Sequence, residues 1–152
     1  MKIKRQKRNL AGLSVHNLSL TETKSGNFTL RVNCEDGSAK TLHSTYDPEA
    51  EAKSLVDVFQ FEGKGILVVL GLGLGYHLAE LSRKYPSAEI TVVEAQPEIY
   101  ELSKEHGPEI SGDVHYLAGL SPDEAVREIS KLQMKDGIKP LSVFTLSSAV
   151  SA

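Results

Sequence analysis

The chain has 152 residues, a net charge of −3 and a hydrophobic content of 40%. This length predicts one domain, with room for a small appendage, and the composition is that of a globular protein. The single cysteine, Cys34, excludes a disulfide framework and indicates a reducing, cytoplasmic setting. No apolar stretch approaches the ~20 residues of a membrane span. The slightly negative charge argues against a general nucleic-acid surface.

The first part of the chain combines a basic start with short β-type segments. Five of the 17 basic residues fall within the first eight positions. We predict a disordered basic tail at 1–9, the alternative being an arm that contacts nucleic acid or an anionic membrane. Turn signals around Gly26 and Gly37 then predict a small antiparallel meander, in which Thr29 and Arg31 face solvent. Its strands are predicted at Leu13–Leu20, Ser19–Thr23, Phe28–Asn33 and Ala39–His43.

A helix follows the meander and completes a predicted segment at 10–60. Asp47 is a favourable N-cap and Pro48 suits the first helical position, so we predict a helix that ends near Phe59. His43, Ser44 and Tyr46 form a polar cluster just before this helix. They either cap the helix and pack against it, which is the interpretation we favour, or form a lid over the glycine-rich turn described next.

The chain is organised around a strand, a glycine-rich turn, a helix and a second strand. An apolar run of five residues, Ile66–Leu70, is too short for a helix and predicts a buried strand. Glycines then alternate at Gly71, Gly73 and Gly75, where they permit positive φ and close approach of a ligand. His77–Leu81 then starts a helix, and its free N–H groups point into this turn. The second strand ends at Glu94.

This arrangement predicts a site for an adenosine-type ligand. An acid at the end of the second strand reaches a ribose diol bound over the turn. The spacing G-x-G-x-G, with Tyr76 where a dinucleotide fingerprint has its third glycine, resembles the class I S-adenosylmethionine (SAM) methyltransferases, and NAD is the lesser alternative. A turn that keeps its glycines for geometry and binds nothing is the other possibility. The predicted cofactor-binding residues are Gly71, Leu72, Gly73, Gly75, Tyr76, Glu94 and Ala95.

Alternation of strands and helices continues to the end of the chain. A helix begins at Pro97 and stops at Gly107, and a capping box at Ser121 begins another. Strands are predicted at Val114–Ala118 and Leu141–Leu146. This pattern predicts an α/β fold: a partial Rossmann, methyltransferase-like parallel sheet of order 3-2-1-4 at 61–152, preceded by the antiparallel meander. The uncharged Leu141–Leu146 edge predicts pairing with a second copy, a partner domain or the N-terminal segment.

Several features of a methyltransferase are missing from the sequence. A methyltransferase sheet has seven strands, and this chain supplies four. No acid follows Val114–Ala118, and Ser147 and Ser148 are weak candidates for anything beyond hydrogen bonding. His77 is predicted to be an ordinary surface histidine. The five histidines show no zinc-ligand spacing, so the catalytic residues are unknown and no metal site is predicted.

A closer resemblance rests on His43–Ala52 (HSTYDPEAEA), on Val69–Leu78 (VLGLGLGYHL) and on Val93-Glu94. These runs are similar to the N-terminal module of bacterial spore-maturation (CgeB-type) proteins and of motility accessory factors. In those families the module precedes a sugar-transferase-like region. The resemblance implies a fragment, or a stand-alone copy, of a nucleotide- or SAM-binding module whose chemistry lies elsewhere.

Two functions follow from the sequence. The first is a SAM-binding, methyltransferase-like domain that is not catalytic as an isolated chain. The second is a non-catalytic Rossmann module that serves assembly or positions a glycosyltransferase partner or domain. The glycines and Glu94 favour the first, whereas the missing acid and the missing catalytic residues favour the second.

Overall fold

The computed structural model describes residues 2–3 and 17–146, and the statements below concern those residues. They form eight strands and four helices in a β-then-α/β order. The strands are β1 (Lys2–Ile3), β2 (Asn17–Glu22), β3 (Phe28–Asn33), β4 (Ala39–Thr41), β5 (Ile66–Leu70), β6 (Glu89–Glu94), β7 (Val114–Ala118) and β8 (Leu141–Thr145). The helices are α1 (Pro48–Asp57), α2 (Tyr76–Lys84), α3 (Pro97–His106) and α4 (Pro122–Met134).

The N-terminal strands form an antiparallel sheet of order β1-β2-β3-β4. Leu20 pairs with Leu30 in its centre. The predicted tail at 1–9 and the predicted strand start at Leu13 lie outside the described residues, apart from β1. β4 ends at Thr41 rather than at His43, and the two residues that follow it, Leu42 and His43, are buried.

The second sheet is parallel and has the order β7-β6-β5-β8, which is the predicted order 3-2-1-4. Ile66 of β5 pairs with Glu89 of β6 on one side and with Leu141 of β8 on the other. The prediction of an α/β fold with a partial Rossmann sheet behind an antiparallel meander is therefore confirmed. Among the described strands, only β5 pairs with β8, so β8 is the edge of this sheet and forms no ladder with the N-terminal sheet.

Helix ends follow the capping signals of the sequence. The Asp47 carboxylate accepts a hydrogen bond from Ala50 N–H (3.0 Å), and Ser121 and Glu124 form a capping box at α4. α1 ends at Asp57, two residues before the predicted end, and the Phe59 ring packs edge-on against Phe144. α4 packs loosely, since Ala125 is its only buried residue.

Two apolar clusters make up the core. One lies between the N-terminal sheet and the helical layer, and it joins Leu30 and Val32 of β3 to Leu74, Ile99 and Leu102. The other lies between the parallel sheet and the helices α1 and α2, and its fully buried members include Leu67, Val69, Val92, Leu72 and Leu78.

One predicted face of the meander is wrong. Thr29 was expected to face solvent with Arg31, but its side chain is fully buried whereas Arg31 is exposed. The Thr29 hydroxyl donates to His43 O (3.0 Å) and accepts from His43 N–H (3.1 Å). This pair of hydrogen bonds replaces the water that the hydroxyl loses on burial.

Candidate functional site

The glycine loop, residues 71–75, connects β5 to α2 and is held in shape by its own backbone. Gly71, Gly73 and Gly75 have φ values of +89°, +55° and +94°, a region that L side chains rarely adopt. Gly71 N–H donates to Val93 O (2.9 Å), and Gly75 N–H donates to Leu72 O (3.0 Å). The alternating glycines are therefore required by the turn itself.

Glu94 lies against this loop, as the sequence predicted. Its side chain is only 7% exposed. One carboxylate oxygen accepts from Leu72 N–H (3.0 Å), and the other accepts from Gln96 N–H (3.0 Å). Glu94 thus ties the end of β6 to the end of β5. Its predicted contact with a ribose stays a prediction.

His43 fills the space over the middle of the glycine loop. Its Nε2 accepts a hydrogen bond from Leu74 N–H (2.8 Å), and the ring is 4% exposed. A Cβ atom at Gly73 would overlap His43 Nε2. The absence of a side chain at Gly73 is therefore explained by the chain's own imidazole. His43, Ser44 and Tyr46 were predicted either to cap and pack or to form a lid over the loop. The structure shows that His43 packs on the loop. The Ser44 hydroxyl accepts hydrogen bonds from Tyr46 N–H and Asp47 N–H.

His77 is buried, so the prediction of a surface histidine is wrong. It is 1% exposed, and its ring stacks on Phe144 at 5.6 Å between centroids. Its Nε2 lies 2.8 Å from Gly71 O, and a carbonyl only accepts, so Nε2 carries the proton. Nδ1 is buried and has no hydrogen-bond partner among the described residues. Helical position predicts no orientation for this side chain, because the burying partner, Phe144, is far away in sequence.

The two histidines beside the glycine loop, His43 and His77, are neutral in the folded chain at neutral pH. Burial lowers the pKa of His43 to about 3, and the nearby His77 lowers it further. Burial also lowers the pKa of His77 to about 4, although its hydrogen bond to Gly71 O opposes that shift. Only an unprotonated His43 Nε2 can accept from Leu74 N–H, so its low pKa and its hydrogen bond agree.

Tyr76 is 3% exposed and links the loop to the N-terminal sheet. Its hydroxyl donates to Phe28 O (2.6 Å) and accepts from Phe28 N–H (3.2 Å). Burial raises the pKa of Tyr76. The remaining predicted cofactor-binding residues differ in exposure: Leu72 is buried in the core, whereas Ala95 is exposed.

A cavity of about 240 Å³ lies beside the loop, between α2 and the C-terminal end of α3. Gly75, Leu78, Ser103 and Tyr116 are among its lining residues.

Ser147 and Ser148 lie outside the described residues. Within 2–3 and 17–146, no group of three or more His, Cys, Asp or Glu side chains could hold a metal ion. The same residues contain no helix with the length and apolar character needed to cross a membrane.

Comparison with known proteins does not assign this chain to a family. No family model and no curated protein matches the chain, so the resemblance to spore-maturation and motility proteins gains no support there. The solved structures that are similar include a probable spermidine synthase from Corynebacterium glutamicum ATCC 13032, at 18% identity and a TM-score of 0.39. The match covers 83% of this chain and 48% of that one, so this chain spans about half its length.

A TM-score below 0.5 does not define a shared fold, so the fold class follows from the strand order and register alone. These define an α/β protein with a Rossmann-like parallel sheet and an N-terminal antiparallel sheet. The two sheets meet at the glycine loop, where His43, Tyr76 and Glu94 all bond backbone groups of the chain itself.

Proposed function

We propose that this chain is a non-catalytic Rossmann-like module that serves assembly, and that its glycine loop fastens the two sheets together. The observation that carries this proposal is the His43 imidazole, which bonds Leu74 N–H at 2.8 Å and fills the space over Gly73. A fold of this kind hosts many functions, so the function must be argued from the site. At this site the polar side chains already form hydrogen bonds with backbone groups of the same chain.

We infer that SAM bound over the middle of this loop would have to displace His43. A ligand over the loop needs room at Gly73. His43 takes the room at Gly73 and the Leu74 N–H, and Glu94 takes the Leu72 N–H. We therefore derive no methyl-transfer step, and we expect the isolated chain to transfer no methyl group to any acceptor.

The assembly role is supported by the outer edge of β8. Leu141–Leu146 contains no charged residue, and β8 pairs with β5 alone among the described strands. Val143 is 45% exposed and Leu141 is 37% exposed. Proteins usually protect such an edge with charge, with proline or with a covering element. We propose that a second copy of the chain pairs with this edge. A glycosyltransferase partner or domain is the alternative, and it rests on the sequence resemblance alone.

A second candidate function is binding of an adenosine-type ligand such as SAM. The observation that favours it is Glu94, whose carboxylate lies at the loop and at the carboxyl end of β6, where ligands bind in open α/β sheets. The cavity of about 240 Å³ beside Gly75 offers adjoining space. This function requires His43 to leave the loop, so His43→Ala should bind the adenosine-type ligand more tightly than the wild type does.

Calorimetric titration distinguishes the two functions. SAM, S-adenosylhomocysteine, NAD and a UDP-sugar are titrated into the wild type, His43→Ala and Glu94→Gln. If His43 keeps the glycine loop filled, as the first function requires, the wild type should bind none of these ligands at millimolar concentration. Binding by the wild type that weakens tenfold or more in Glu94→Gln would establish the second candidate.

The stability of each variant must be measured alongside. Glu94 is buried and accepts two backbone N–H groups, and a glutamine offers only one oxygen in place of two. We expect Glu94→Gln to lose roughly 1–3 kcal/mol of unfolding free energy, so its titration is interpreted at a temperature where it is fully folded.

A further inference from the structure

A second cavity, of about 400 Å³, lies at the carboxyl end of the parallel sheet. Leu146 follows β8 directly, and its N–H donates to Leu70 O at the end of β5 (2.9 Å), which fixes this position. The carboxyl edge of a parallel sheet is where open α/β proteins bind ligands. The lining residues are Thr41, Leu42, His43, Ser44, Thr45, Glu51, Leu55 and Leu146.

This cavity adjoins the glycine-loop site described above and shares only His43 with it. It shares none of the predicted cofactor-binding residues, and its walls come from the segment that leads into α1, from α1 itself and from the end of β8. His43 is the one residue that both lines the cavity and bonds the loop. Its volume lies within the range of roughly 300–1,000 Å³ that is usual for small-molecule sites.

Glu51 gives the cavity its charge. It is the one carboxylate of the described lining, and the lining contains no lysine or arginine. Glu51 Oε1 accepts from Ser44 N–H (3.0 Å), whereas no described residue forms a hydrogen bond or ion pair with Oε2. His43 adds no positive charge, because burial keeps it neutral. The lining therefore carries one negative charge.

The rest of the lining has two kinds of surface. Leu42, Leu55 and Leu146 contribute apolar side chains, and Leu55 remains 38% exposed in the folded chain. Thr41, Ser44 and Thr45 contribute hydroxyl groups, which both donate and accept. A carboxylate beside leucines suits a ligand with a cationic head and a hydrocarbon body, since a partly buried carboxylate accepts charge-assisted hydrogen bonds from a cation.

We propose that this cavity binds a small organic ammonium ion, with the ammonium group at Glu51 and the hydrocarbon part against Leu42, Leu55 and Leu146. This inference goes beyond the assembly function and does not depend on it. The Ser44 N–H bond holds the Glu51 carboxylate in place, so a ligand does not have to order that side chain on binding.

The test compares three probes of equal length: n-butylammonium, 1-butanol and butyrate. Each is titrated into the full ¹⁵N-labelled chain while amide chemical shifts are followed. We expect n-butylammonium to shift the amides of Ser44, Thr45 and Leu146 in a saturable way. We expect 1-butanol to bind at least tenfold more weakly, and butyrate to leave those amides unmoved.

Glu51→Gln is the decisive variant, because glutamine keeps an oxygen that can accept from Ser44 N–H. We expect n-butylammonium to bind about tenfold more weakly to it, while 1-butanol is unaffected. Glu49→Gln is the matched control on the same helix, since Glu49 does not line this cavity and should leave binding unchanged. The proposal is overturned if n-butylammonium does not bind, if the three probes bind alike, or if Glu51→Gln and Glu49→Gln behave alike. The selectivity of the wild type decides the matter even if a variant fails to fold.

Discussion

The Tyr76 hydroxyl forms hydrogen bonds to both backbone groups of Phe28, donating to the carbonyl oxygen at 2.6 Å and accepting from the N–H at 3.2 Å. Tyr76 opens α2, and Phe28 opens β3. One side chain therefore takes the place of a neighbouring strand for one residue of the N-terminal sheet. With His43 on Leu74 N–H, it forms the polar part of the contact between the two sheets.

Removing the Tyr76 hydroxyl should destabilise the fold without changing its shape. Tyr76→Phe leaves both backbone groups of Phe28 without this partner, at a cost of about 1–3 kcal/mol of unfolding free energy. Urea denaturation followed by circular dichroism measures the change. Tyr46→Phe is the matched control, because Tyr46 is 64% exposed, and we expect it to be neutral. Equal stability of the two variants would show that the Phe28 contact contributes nothing.

Gly73 and His43 should be energetically coupled. Gly73→Ala places a Cβ on His43 Nε2 at a φ of +55°, so the single substitution is both strained and crowded. In a His43→Ala background the crowding disappears and only the strain remains. We expect Gly73→Ala to cost about 1–3 kcal/mol less there than in the wild type. A double-mutant cycle of urea denaturations measures the coupling, and additive effects would mean that His43 does not occupy this space in solution.

Acid should weaken the fold through the two buried histidines. Their folded pKa values of about 3 and about 4 lie below the unfolded value of about 6.5. The unfolded chain therefore binds more protons as the pH falls below about 6.5. The free energy of unfolding is highest above that pH and falls towards pH 4, by up to about 1.4 kcal/mol per pH unit for each histidine.

The variant that tests this acid sensitivity is His77→Gln, whose amide can still donate to Gly71 O. Urea denaturation at pH 7, 6 and 5 should give it a shallower loss of stability than the wild type. His115→Gln, at an exposed position, should retain the wild-type slope. If His77→Gln also retains it, His77 is not buried and neutral in the folded chain.

A charge on the β8 edge should prevent assembly. Val143 is 45% exposed on an edge strand without charged residues, so Val143→Lys adds the kind of protection that natural edges carry. We expect the wild type to self-associate in sedimentation equilibrium at high concentration, and Val143→Lys to be monomeric. Val126→Lys, at a 62% exposed position on α4, is the control and should self-associate as the wild type does. A monomeric wild type would refute pairing through this edge.

The sequence was sufficient for the parallel half of the fold, because the signals there are local. Apolar runs such as Ile66–Leu70 and capping residues such as Ser121 act within a few positions of themselves, and these elements begin where they were predicted. The burial of Thr29, His43 and His77 depends on partners 14 to 67 residues away in the sequence. A polar residue is normally exposed unless such a partner exists, so local pattern predicted the wrong environment for Thr29 and His77.

The apolar cluster between the N-terminal sheet and the helical layer bears on where this chain could be divided. Leu18, Leu30 and Val32 precede residue 60, whereas Leu74 and Ile99 follow it, and all five belong to one buried cluster. A cut at the predicted 60/61 boundary would expose apolar surface on both pieces and would also break the Tyr76 and His43 hydrogen bonds. We therefore expect the two segments to unfold as a single cooperative unit, so that protein engineering or recombination could not move one without the other.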